Sequence, residues 1–89
     1  MSEENETLRW PTNLDHAAIV QRLIQIRESA RAAGLEEVAA RFADVETMAA
    51  GQIGASVIAA LDWLQGKPEH LPLAEQLGMI AVNLKNLLA

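Results

Sequence analysis

The chain predicts an all-α fold, a small helical bundle in one domain. Three observations carry that reading. Sixteen of its 89 residues are alanine, against one Phe, two Trp and no Tyr, so the interior must be assembled from Ala, Leu, Ile and Val, which suits closely packed helices. Residues with strong strand preference are sparse and form no alternating run. Apolar residues recur instead at spacings of three and four, the period of one helix face.

The first eleven residues read as a flexible acidic lead-in, ending in Leu8, Arg9, Trp10 and Pro11, with the helical domain spanning 12–89. Trp10 is a candidate anchor for a partner protein, since Trp so often forms interface hot spots. Helix 1 is expected over about 13–33. Thr12 or Asn13 would cap its first free N–H groups, with Asp15 near the positive end of the helix dipole. Ile19, Val20, Leu23, Ile24, Ile26 and Ala30 share its apolar face. Gly34 is expected to end it as the left-handed residue after the last turn.

A long helix is expected next, over about 35–65. Leu35, Val38, Phe42, Val45 and Ala49 line one stripe, and Glu37 with Arg41 forms an i,i+4 pair. Counting on at 100° per residue through Gly51 and Gly54 keeps Ile53, Val57, Ala60 and Leu64 on that same stripe. A loop has no reason to keep the register, and neither Gly51 nor Gln52 is a strong capping residue with a capping-box partner. The phase therefore favours one helix roughly 45 Å long, bent at the two glycines. The alternative is a break near Gly51 that yields four short helices in a compact monomer. Gly66, Lys67 and Pro68 mark the helix end, and Pro72 suits the first turn of a last helix over about 72–88. Leu73, Leu77, Ile80, Leu84 and Leu87 form its seam.

Folded as hairpins, the first and last helices both reach the middle helix around Ala50, Gly51, Gly54 and Ala55, where it is slimmest. Those four residues are expected to form a helix crossing. Each half of the long helix would then have one covering helix, and Met79 and Val82 would face away from the Leu seam. A homodimer is expected to complete the bundle.

Chemistry is thinly represented. The chain has no cysteine, which excludes disulfides and thiolate metal sites. His16 and His70 lack metal-ligand spacing, no serine has a nucleophile-elbow context, and the glycines form no phosphate loop. No catalytic residue, cofactor or metal is expected. Glu46 falls on the apolar stripe, so it is expected to be partly buried and paired with Arg27 or, failing that, Arg22. Glu46, Arg27 and His16 are the candidate polar cluster under the alternative reading, a small-molecule-binding helical protein or an enzyme with a polar pocket there.

Net charge is −5, but Glu3, Glu4 and Glu6 supply three of the twelve acids, which leaves the domain nearly neutral. Without a basic stripe, nucleic acid is not an expected partner. The start M-S-E-E-N-E does not read as a signal peptide. The longest near-apolar run, 48–61, is short of the ~20 residues a membrane helix needs. A cytoplasmic chain with no membrane contact is expected. The sequence thus points to a non-enzymatic helical protein that dimerises or binds another protein.

Overall fold

The computed structural model describes residues 14–88, all helix, turn and short connection, with no strand among them. Four α-helices follow in order: α1 His16–Ala32, α2 Glu36–Arg41, α3 Ala50–Leu64 and α4 Leu71–Leu88. Single 3₁₀ turns, Val45–Thr47 and Pro68–His70, stand before α3 and α4. The lead-in, with Trp10, Thr12 and Asn13, lies outside the described residues.

Helix α1 starts three residues later than its pattern implied, because Asp15 is the cap. Its Oδ1 accepts from Ala18 N–H at 2.9 Å, satisfying one orphan donor of the first turn. The other end is as expected. Gly34 takes φ +80°, Leu35 N–H reaches Ala30 O at 2.8 Å and Gly34 N–H reaches Arg31 O at 3.1 Å. This is a Schellman turn, and it buries Leu35 beside Ala30.

The long helix over 35–65 does not form. Helix α2 stops at Arg41, and the chain passes through a turn and one 3₁₀ turn before Met48 and Ala49 become extended, with ψ 141° and 160°. The break thus falls at 42–49, upstream of both glycines. Phe42 and Val45 are fully buried, as are Ile53, Val57 and Ala60. The stripe was therefore real while the conformation joining its halves was not helical. Three turns of helix and the observed connector both return the chain to the same side of the core. Helix α3 then starts without a side-chain acceptor at Ala49, though Gln52 Oε1 accepts from Ala49 N–H at 2.9 Å, the return half of a capping box.

At the far end, Gln65 is extended and Gly66 has φ +81°, with Lys67 N–H donating to Leu64 O at 3.0 Å. That is a type II turn, whose third position needs a glycine. Lys67 Nζ sits 4.2 Å from the Trp63 ring centroid and donates to Trp63 O at 3.2 Å. One cation thereby serves both an aromatic face and a free helix-end carbonyl.

Residues 35–49 run back along α1, since Arg27 reaches Phe42 and, nearer the start of α1, His16 reaches Met48. Helix α4 runs back along α3 and also packs on α1. The result is an up-down-up-down bundle whose second leg is α2 plus the connector. Ile19, Leu23, Val38, Phe42, Ile53, Val57, Leu77 and Ile80 fill its centre, each with no exposed surface. One chain closes this core, so a second copy is not needed to complete it. Any dimer must use the outside.

Candidate functional site

The polar residues singled out by the sequence all bear on the connector. Arg27, on α1, has a side chain only 12% exposed. Its Nη1 donates to Phe42 O at 3.1 Å and Ala43 O at 3.2 Å. Nη1 and Nη2 also reach Glu46 Oε1 and Oε2, each at 3.3 Å. The guanidinium thus closes the carbonyl end of α2 and forks onto a carboxylate at once. Arg27, not Arg22, is the partner of Glu46. Glu46 itself is not buried, however: its side chain is 52% exposed. Once α2 ends at Arg41, the helical wheel that placed Glu46 on the stripe no longer applies. Hydrogen bonding from Arg27 holds the Glu46 carboxyl below its ordinary range, and the same bonds raise the guanidinium.

His16 does not join them. It stands eleven residues before Arg27 on one helix, about 16 Å along the axis, and its Nε2 lies 3.2 Å from Met48 O. Arg27 and His16 therefore hold the two ends of the connector rather than lining one pocket. Sequence reasoning missed a third polar fixture, Asn83 on α4. It is fully buried, its Oδ1 accepts from Leu14 N–H at 2.8 Å, and its Nδ2 donates to Met79 O at 2.9 Å. An asparagine flanking the Leu seam was the available signal, but the spacing alone does not say which way it faces.

The small residues do not make a tight crossing. A Cβ at Gly51 or Gly54 would meet nothing within 4 Å. Gly51 and Ala55 are exposed, while Ala50 and Gly54 are half-buried. The ends of α1 and α4 do arrive nearby, through His16 with Met48 and Leu14 with Asn83. They meet the connector and each other instead of pressing on the glycines.

What remains is the outer face of α3 and α4. Among the described residues, every exposed large apolar side chain belongs to these two helices: Ile58, Leu71, Val82, Leu87 and Leu88. Ile58 is 60% exposed and Leu88 59%, while Leu87, expected as the last residue of the Leu seam, is 40% exposed at the helix end, beyond the buried part of the seam. Met79 is half-buried. Charge is distributed the opposite way. Residues 14–49 hold ten Asp, Glu, Lys or Arg, whereas the longer stretch 50–88 holds five, so the second hairpin offers the less solvated surface. Where its turn opens, a groove of about 580 Å³ lies between Leu61, Leu64, Pro68, Leu71 and Ala74. A smaller one of about 240 Å³ lies between Ser29, Leu35, His70 and Leu73.

No helix of the described residues is long and apolar enough to cross a membrane, and among them no three His, Asp or Glu side chains converge as metal ligands. No family model matches the chain, and neither a curated protein nor a solved structure shows significant similarity to it.

Proposed function

We propose that this chain is a non-enzymatic helical protein that acts by binding protein through the outer face of α3 and α4. The observation that carries this is the confinement of exposed Ile58, Leu71, Val82 and Leu88 to that hairpin, next to a half-molecule rich in charge. Single exposed apolar residues are ordinary on a surface, and it is their concentration on one charge-poor hairpin that supports an interaction site. A small-molecule site at Glu46, Arg27 and His16 has less support, because Arg27 is committed to Phe42, Ala43 and Glu46, while His16 contacts Met48.

Site-specific photo-crosslinking in the native cell tests the reading. A benzophenone side chain placed at Val82 or Ile58 should give discrete protein adducts, and one placed at Gln25 on α1 should give none. Equal labelling from α1, or no adduct from α3 and α4, would sink the proposal.

A further inference from the structure

Helix α4 carries two seams. The inner one, Leu73, Leu77, Ile80 and Leu84, faces the core. The outer one repeats the same alternation of four and three: Leu71, Glu75, Gly78, Val82 and Lys85. Gly78 is half-buried and the other four are exposed. Neither Glu75 nor Lys85 has an ionic partner among the described residues. Gly78 has no positive φ to serve, and a Cβ there would meet nothing within 4 Å. Nothing among the described residues therefore calls for a glycine in mid-helix, where it weakens the helix.

We infer that this seam takes a second copy of the chain, with α4 antiparallel to the partner subunit's α4 about a twofold axis at the level of residue 80, on the face opposite the buried Ile80 side chain. The inference rests on the interaction reading above and names its partner. Antiparallel pairing about that point joins residues equidistant from position 80. Glu75 then meets the partner's Lys85, and Val82 fills the notch at the partner's Gly78. Symmetry repeats each contact, so two ion pairs and two knobs arise from four residues. Parallel pairing in register would instead set Glu75 on Glu75 and Lys85 on Lys85, which repel. Charge complementarity thus selects both the occupant and its direction. The missing Cβ lets the two backbones approach near the lower end of the usual interaxial range, about 8 Å.

Sedimentation equilibrium on the full chain, over micromolar to millimolar concentration, tests this. The wild-type chain is expected to dimerise. Glu75→Lys and Lys85→Glu, each at an exposed position, should each weaken the dimer by about tenfold or more. An equimolar mixture of the two variants should restore it, because every introduced charge then faces its opposite. Gly78→Leu should weaken the dimer while leaving helical circular dichroism unchanged. A wild-type chain that stays monomeric, a dimer indifferent to both reversals, or a mixture no tighter than its parts would each overturn the pairing. A monomer that still crosslinks from Val82 to a different protein overturns the second copy and spares the interaction reading; absence of any adduct ends both.

Discussion

Arg27 shows how one side chain can settle a local conformation. Residues 42 and 43 turn their carbonyls toward α1 as α2 ends, and the guanidinium donates to both, sharing Phe42 O with Val45 N–H, while gripping Glu46. Glu46→Lys is therefore expected to lower the thermal midpoint, since it sets two cations together beside those carbonyls. An unchanged midpoint would mean the pair contributes nothing. The acid response has a definite sign. Because folding lowers the Glu46 carboxyl through the Arg27 hydrogen bonds, the unfolded chain takes up this proton first as pH falls. The stabilisation is complete above the ordinary glutamate range, about pH 4.3, and is lost on going below it. Urea melts at pH 7 and about pH 3 should show a smaller acid loss for Glu46→Gln than for the wild type. Asn83 is the buried counterpart. Asn83→Leu leaves Leu14 N–H without its partner and is expected to cost about 1–3 kcal/mol; a smaller loss would mean water replaces the amide. The Arg27–Glu46 pairing was legible from sequence because two charges interrupted apolar faces. The solvent exposure of Glu46 and the burial of Asn83 were not, since both depend on where helices end and how they turn about their axes.

At the level of elements, the glycines divide by role. Gly34 and Gly66 hold positive φ and end α1 and α3, and both were readable from the chain, because only a glycine after the last periodic residue explains the pattern. Gly51 and Gly54 misled. The regular phase of their helix with Phe42 and Val45 suggested a continuous element, but a helical run and a turn-containing connector both return Ile53 to the same side. Periodicity reports which side chains are buried and is silent on the backbone between them. Gly54→Ala tests the corrected picture. With nothing within 4 Å of its would-be Cβ, alanine is expected to raise stability by about 0.5–1 kcal/mol in chemical denaturation. A loss would restore the tight crossing. Asp15→Ala, which removes the α1 cap, should cost about 1 kcal/mol.

For the whole molecule, the division of labour follows the division of charge. The first half carries most of the charge and a connector clamped from α1, and the second half supplies a hairpin with a charge-poor outer face. The all-α class, the ends of α1 and α3 and the span of α4 followed from periodicity and turn residues. Closure of the core within one chain did not, because it turns on the connector, whose fold is fixed by Arg27 and His16 from a distant part of the sequence. That closure is the central claim, since it frees the outer face for binding. It is tested most directly by the thermal melt of Val82→Glu, followed by circular dichroism over a wide concentration range. This substitution places a charge on the exposed seam without touching the core. A cooperative transition with near wild-type helicity and a midpoint independent of concentration is expected from a self-contained four-helix core. Loss of helicity in the monomeric variant would contradict it and show that the second copy completes the fold.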